Sequence, residues 1–544
     1  MQLTKQIKSV YPKQFFLLLI ALLLTGSGAL AQAPDKAKPN IVIILADDMG
    51  FADLGSFGSE IHTPNLDRLA AQGLKLTQFY NAGRCCPSRT ALLTGLYPHE
   101  AGVGDMVKDW GDPAYQGYLN NKCATIAQLL KAEAGYNTIV SGKWHVGLVP
   151  SALAYNRGFD QSFTMLNNAS SYFNSGPLFN DGSKITFMLN DKQIYRNDTS
   201  EYLTQAITHF AIRSLDQIKN DPKPFFLYVA YNAPHWPIQA LPQDIARYKG
   251  KYLNGWDKLR AQRYQKLRAA GIIKNEWKLS PRYEKVPDWD KLSAGEKDKW
   301  DIRMAIYAAM IDRMDAGVGE ILAKLKQIKK DKNTVVLFMS DNGGSADDVK
   351  NWTNVIQKDG TPGSVVSIDS YETPWANVSN TPFKGFKKNT HEGGIATPLI
   401  AYYPGVIRPG SVNNQPAHFI DILPTCLNLA GVEYPEQLDG RKLIPAQGVS
   451  LINAFYGKPF KEHDALFWEH EGSRAIRKGQ WKLVAENHAT WELYDLNDDR
   501  SETNNLAEKY PDRVKALETE YLAWAAKAGV RNWDELSKAA KKAE

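Results

Sequence analysis

Twelve consecutive residues carry the densest chemistry in this 544-residue chain: Arg84-Cys85-Cys86-Pro87-Ser88-Arg89-Thr90-Ala91-Leu92-Leu93-Thr94-Gly95. They contain the pattern Cys-x-Pro-Ser-Arg-x-x-x-Leu-Thr-Gly starting at Cys85. With average residue usage, seven fixed positions match by chance on the order of once in a billion start sites. Pro87 suits a first helical position, and Ser88 to Leu93 can continue the helix. The expectation is therefore a helix that begins just after Cys85. Free N–H groups and the helix dipole favour negative charge there, and a thiol so placed is acidified and reactive. An isolated Cys pair is more commonly structural, either buried or cross-linked. The flanking Pro-Ser-Arg and Leu-Thr-Gly reverse that preference.

Other candidate groups stand at the ends of apolar runs. Ile41 to Ala46 ends in Asp47-Asp48. Thr138-Ile139-Val140 ends in Gly142-Lys143-Trp144-His145. Phe225 to Ala230 ends in Asn232-Ala233-Pro234-His235, and Val335 to Met339 ends in Asp341-Asn342-Gly343-Gly344. Continuous Ile/Val/Leu runs of this length suit strands buried on both faces of a parallel sheet. Helical patterns lie between them over 64–72, 124–134, 201–218 and 303–329. The alternation predicts an α/β domain with a large, mostly parallel sheet sandwiched by helices. Ligands of such sheets bind beyond the carboxyl ends of the strands. Any one polar strand end is ordinary, but four that converge are not. Asp47, Asp48, Asp341 and Asn342 supply hard oxygen ligands, which suit calcium or magnesium rather than zinc. Taken alone, Asp47-Asp48 would read as a turn or helix cap, and a lone histidine such as His235 as a structural residue.

The signature resembles that of the type I sulfatases of the alkaline phosphatase-like superfamily, most closely the bacterial arylsulfatase group. Gly142-Lys143-Trp144-His145-Val146-Gly147 resembles the second sulfatase signature. The runs Asn380-Thr381-Pro382-Phe383, His391-Glu392-Gly393-Gly394 and Trp468-Glu469-His470-Glu471-Gly472 match the bacterial group. The resemblance spans roughly residues 40–530. It implies that a maturation enzyme oxidises Cys85 to formylglycine and that Asp47, Asp48, Cys85, Asp341 and Asn342 hold Ca2+. It implies further that the hydrated aldehyde, activated by the metal and Asp341, attacks the sulfur of a sulfate ester. Arg89 and Lys143 would then hold the diol, His235 and Lys387 the sulfate and the departing oxygen, and His145 would release sulfate by taking the second hydroxyl proton. Lys384, Lys387 and Lys388 all precede His391; spacing back from Glu392-Gly393-Gly394 favours Lys387. The substrate implied is a small-molecule or glycan sulfate ester.

Residues 1–31 read as a signal peptide. Lys5, Lys8 and Lys13 precede the apolar stretch Phe15–Leu24, and Ala29-Leu30-Ala31 is a small-x-small cleavage site. The mature chain is then expected to be secreted or periplasmic, with no membrane span. Net charge is +6, or +3 without those three lysines, which gives no case for nucleic-acid binding. Cys123 and Cys426 lack metal-ligand spacing and read as core residues. The catalytic α/β domain is expected over 38–456. Residues 241–300 interrupt the alternation as an insertion near the site. Its basic helix reads as a solvated face or a binding surface, and Trp256, Trp277, Trp289 and Trp300 as core or as sugar-stacking platforms. Residues 345–382 form a long polar loop. From 457 to 544, short strand patterns and the amphipathic stretch 511–527 predict a smaller C-terminal domain, an antiparallel sheet with a packed helix.

Two other functions use the same residues. A formylglycine-dependent phosphonate monoester or phosphodiester hydrolase would bind a similar monoanion with the same cations. A non-catalytic binder of sulfated glycans would use the pocket with Cys85 unmodified.

Overall fold

The main sheet is built around β1, whose side chains alternate between two buried layers. The computed structural model describes residues 38–180, 185–197, 201–356 and 360–543; the expected signal segment lies outside them. In chain order the sheet contains β1 (Asn40–Ala46), β2 (Leu74–Tyr80), β3 (Asn137–Lys143), β4 (Gln161–Met165), β5 (Phe187–Leu189), β6 (Lys192–Ile194), β7 (Phe225–Ala230), β8 (Thr334–Ser340), β9 (Ala396–Tyr402), β10 (Ser411–Asn413) and β11 (Ala417–His418). Their spatial order is β10-β2-β9-β8-β1-β7-β3-β4-β5-β6, with β11 also on β2. The stretch β8-β1-β7-β3-β4 is parallel, and β9 runs antiparallel to both β2 and β8. The sheet is thus mostly parallel at its centre, as expected.

Val42, Ile44 and Ala46 enter one apolar layer, and Ile41, Ile43 and Leu45 the other. This period of two follows from the pleat. Helices Pro64–Gln72, Leu203–Gln217 and Ala294–Gln327 cover the first face; Cys85–Thr94, Ile126–Ala134 and Ile422–Ala430 cover the second. The helix expected from 303 begins at Ala294 because Ser293 and Glu296 form a reciprocal capping box. The helix expected after Cys85 begins with Cys85 itself. The first intrahelical bond runs from Ser88 N–H to the Arg84 carbonyl, and Pro87 lies within the first turn, where a missing N–H costs nothing.

Within 241–300, the four tryptophans belong to the core rather than to a sugar platform. Trp256, Trp277 and Trp289 are buried, and Trp256 meets Trp289, Trp300 and Trp375 edge-to-face at 4.6, 5.6 and 5.6 Å. The basic helix Trp256–Ala269 also turns part of its charge inward. Arg263 pairs with Asp53 and Glu60, and Arg260 donates to Ser280 and the Asn377 carbonyl. Cys85 and Cys86 are free thiols, so the cross-linked alternative does not apply.

Strands Leu466–His470, Ser473–Lys478, Trp481–Ala485 and Glu492–Asp495 form the C-terminal antiparallel sheet. Ile476, Leu483 and Leu493 pack on Leu517, Tyr521 and Ala525 of helix Pro511–Ala528. Trp468, Ala475, Val484 and Tyr494 join the layer beneath the main sheet. A further helix, Trp533–Ala543, occupies the end of the chain.

Candidate active site

Register brings the strand ends level. Ala46 pairs with Ser340, Leu45 with Ala230, and Ala230 with Gly142. Asp47-Asp48, Asp341-Asn342, Asn232–His235 and Lys143–His145 therefore leave four adjacent parallel strands at one height, each about 4.8 Å from the next. Two backbone features complete the arrangement. Gly142 has φ 119°, and a Cβ there would run into the Ala230 carbonyl. Asp48 and His145 adopt φ 65° and 54°, a left-handed conformation that costs a non-glycine residue about 1–3 kcal/mol and clusters at functional sites.

The side chains interlock. Arg89 donates from Nε and Nη2 to Asp341 Oδ2 at 3.0 and 2.7 Å, and from Nη1 to the Lys143 carbonyl at 2.9 Å. Lys143 Nζ lies 2.6 Å from Asp47 Oδ2. Lys387 Nζ donates to Asp48 at 2.8 Å and stands 3.3 Å from His235 Nε2, whose Nδ1 lies 2.6 Å from the Trp236 carbonyl. Asn342 Nδ2 donates to Asp48 Oδ1 at 2.7 Å. The Cys85 thiol gathers with Cys86 and His145, while Asp47 and Asp48 gather with His235. Every one of these side chains is buried. The spacing argument for Lys387 agrees with this placement, whereas Lys384 pairs with Glu492 and Lys388 with Asp347 nearer the surface.

The donor set fits a hard cation. Asp47 Oδ1 and Asn342 Oδ1 are buried oxygens without a hydrogen-bond partner among the described residues. Leaving such oxygens dry and unpaired is costly, about 1–3 kcal/mol each, unless something positive meets them. Oxygen donors alone, from three carboxylates and an amide, match calcium or magnesium preference.

Comparisons with known proteins bear on the family. The Sulfatase family model matches residues 39–432, and the model for the N-sulphoglucosamine sulphohydrolase C-terminal region matches 384–523. The chain belongs to the sulfatase family. An arylsulfatase of Klebsiella aerogenes is 35% identical over 453 residues, covering 79% of this chain and 94% of that protein. An uncharacterized sulfatase of Schizosaccharomyces pombe is 37% identical over 533 residues, covering 92% and 95%. The crystal structure of Ps i-CgsB in complex with k-i-k-neocarrahexaose is similar at a TM-score of 0.64 and 27% identity, covering 90% of this chain and 93% of that one. The protein is a sulfuric ester hydrolase of the alkaline phosphatase-like fold, in a family that generally uses Ca2+ and formylglycine.

The electrostatics of this sulfatase suit an anion. Burial opposes a Cys85 thiolate, but the hydrogen bond with the Cys86 thiol, the adjacent His145 ring and the Lys143 and Lys387 ammonium groups outweigh it and hold the thiol well below its usual range. Burial pushes His145 down to about 4, so its imidazole is neutral at pH 7. Its two ring nitrogens have no hydrogen-bond partner among the described residues. Sequence reasoning missed three neighbours. Asn168 accepts from the Cys85 thiol at 3.8 Å, and nothing in its local sequence marks it. Arg84 directly precedes Cys85, and Asp347, paired with Lys388, lies within electrostatic reach of it. Arg84 was within reach, because it directly precedes the signature cysteine.

Proposed function

We propose that Cys85 is converted to formylglycine and that Asp47, Asp48, Asp341 and Asn342, with residue 85 once converted, hold a calcium ion. The reaction served is hydrolysis of the sulfate ester of a carbohydrate, outside the cytoplasm. The observation that carries this reading is the pair of buried oxygens without a hydrogen bond among the described residues, Asp47 Oδ1 and Asn342 Oδ1, among the same buried groups as Arg89, Lys143 and Lys387. A sulfate ester is a monoanion that repels a nucleophile, and fixed cations in a water-poor site cancel that repulsion. When bound, calcium adds a divalent charge that draws in the sulfate oxygens and favours an ionised nucleophile. As an aldehyde hydrate, residue 85 supplies one hydroxyl for attack and a second for release of sulfate.

The other side chains have separable tasks. Arg89, clamped between Asp341 and the Lys143 carbonyl, keeps the entrance of the helix fixed against the sheet. His235 faces the Trp236 carbonyl through Nδ1, which keeps the proton on that nitrogen and leaves Nε2 free to accept from Lys387. Lys387 is then the proton donor to the departing alcohol oxygen, with His235 orienting it. His145, neutral and beside Cys85, is the base for the second hydroxyl. The carbohydrate reading draws support from the similar Ps i-CgsB, whose crystal structure contains a neocarrahexaose. Export draws support from the basic, apolar and small-residue order of 1–31.

The test is metal content against activity. Asp341→Ala is expected to lose bound calcium, measured by plasma mass spectrometry after dialysis, together with turnover. Full metal content in that variant would refute the ligand assignment.

A further inference from the structure

The Trp468-Glu469-His470-Glu471-Gly472 run plays no part in the machinery above, yet it reaches Arg84, the residue before Cys85. It forms the end of strand Leu466–His470 and the turn into Ser473–Lys478, where His470 pairs with Ser473. Only Glu471 and Gly472 lie between, at φ 49° and 85°, which is the left-handed pair of a type I′ hairpin turn. Such a turn favours Asn-Gly or Asp-Gly, so glutamate at its first position runs against local preference. The rest of the run holds it there. Trp468 Nε1 donates to the Asn81 carbonyl at 2.7 Å. Glu469 accepts from Gly472 N–H at 2.8 Å and meets His99 at 2.7 Å and the Tyr115 hydroxyl at 3.2 Å. Gly472 cannot carry a Cβ, which would collide with the Asn487 side chain.

The turn delivers Glu471 to Arg84, the residue before Cys85. Glu471 Oε1 lies 3.8 Å from Arg84 Nη1 and 3.6 Å from His470 Nε2, which is 4.0 Å from Asp105 Oδ1. Glu471 is about one-third exposed, while Arg84, Asp105 and His470 are buried. Among the described residues, Arg84 Nε and Nη1, both His470 nitrogens and Asp105 Oδ1 have no hydrogen-bond partner. This is a cluster of strong donors and acceptors beside Cys85, several of whose polar atoms have no hydrogen-bond partner among the described residues. The ligand atoms of Asp105, His470 and Glu471 lie within 4.8 Å of one another, close enough for a metal ion, but a cation would leave the two unpartnered Arg84 nitrogens without the acceptor they need. Arg84 and Glu471, joined to each other only by an ion pair too long for a hydrogen bond, suit the vicinal hydroxyls of a sugar, which donate to the carboxylate and accept from the guanidinium. An aryl alcohol offers no such hydroxyls.

We propose that Arg84 and Glu471 bind hydroxyl groups of the sugar that carries the sulfate, with His470 and Asp105 positioning them. The proposal rests on the carbohydrate reading of the site and names the residues that select for it. A site built to hydrogen-bond hydroxyls discriminates strongly against ligands that lack them, because its own buried groups are then left unpaired.

The experiment compares kcat/KM on a panel of monosaccharide sulfates with kcat/KM on 4-nitrophenyl sulfate, for formylglycine-containing wild type, Glu471→Gln and Arg84→Gln. The expected result is a sugar-to-aryl ratio that falls at least tenfold in each variant, carried mainly by KM for the sugar. Asp105→Asn, acting through His470, is expected to lower the same ratio by a smaller factor. Equal losses on both substrates would overturn the proposal by assigning the pair to sulfate handling or folding. An unchanged ratio would overturn it as well. Wild type that hydrolyses the aryl ester but none of the sugars would overturn it while leaving the catalytic reading intact. Wild type with verified formylglycine that hydrolyses neither would defeat both.

Discussion

At the scale of single residues, the account separates proton delivery from charge compensation. Lys387 bridges Asp48 and His235, and its ammonium is stabilised there: burial opposes the charge, but Asp48 outweighs it and raises the pKa above the usual lysine range. If Lys387 protonates the leaving oxygen, Lys387→Ala should harm poor leaving groups most. General acid catalysis contributes about 10²–10⁴-fold, so alkyl sulfate turnover should drop by about that factor. 4-Nitrophenyl sulfate, whose phenolate needs little protonation, should lose far less. A parallel loss on both esters, in steady-state kinetics, would move Lys387 to sulfate binding alone. The strand-end carboxylates were legible in the chain as polar pairs closing apolar runs, whereas Lys143, His145, His235 and Lys387 were legible only through resemblance to the sulfatases. Asn168 was legible by neither route, since one amide in a polar loop carries no pattern.

At the scale of elements, the segment that carries Lys387 is anchored from behind by the C-terminal sheet. Glu392 accepts from the Tyr80 hydroxyl, Lys482 Nζ and Arg500 Nε at 2.9, 2.9 and 2.7 Å. Glu502 pairs with Lys482 at 2.8 Å and with His391 at 3.1 Å, and accepts from the Glu392 backbone N–H at 2.8 Å. All of these groups are buried. Burial opposes ionised Glu502, but Lys482 and His391 outweigh it and hold its pKa at about 2, against an ordinary 4.5. Because the folded value is the lower one, this stabilisation is complete above about pH 4.5 and is lost as the pH falls toward 2. Urea midpoints should therefore fall more steeply below about pH 4.5 in wild type than in Glu502→Gln. Lys482→Met strands two buried carboxylates and should cost about 3–5 kcal/mol in urea unfolding at pH 7. A midpoint unchanged by Lys482→Met would show that the network does not hold this segment.

The central strands were readable because each is buried on both faces and so becomes an unbroken apolar run. β9 and β2 were not, for a different reason in each case. β2 mixes Lys75 and Gln78 into its length, and β9 follows Gly393-Gly394 with Pro398 inside it, which reads as a loop. The four tryptophans of 241–300 were ambiguous because an aromatic residue serves a core and a sugar equally well in sequence. Only the packing of Trp256 against Trp289 and Trp375 decides. The pairing of Arg84 with Glu471 joins residues almost four hundred positions apart, and no local signal predicts such a contact.

At the scale of the whole molecule, the near-balanced charge of the chain shows that anion selectivity is a local property. Three buried cations and a set of buried oxygens at one edge of the sheet create it. Everything then depends on the covalent state of residue 85. The direct measurement is peptide mass spectrometry of the segment containing Cys85, taken from protein produced in its native host and active on a sulfate ester. The account predicts a mass about 18 Da below that of the thiol form, the difference between a thiol-bearing and an aldehyde-bearing side chain. A fully active preparation in which residue 85 is entirely thiol would contradict it.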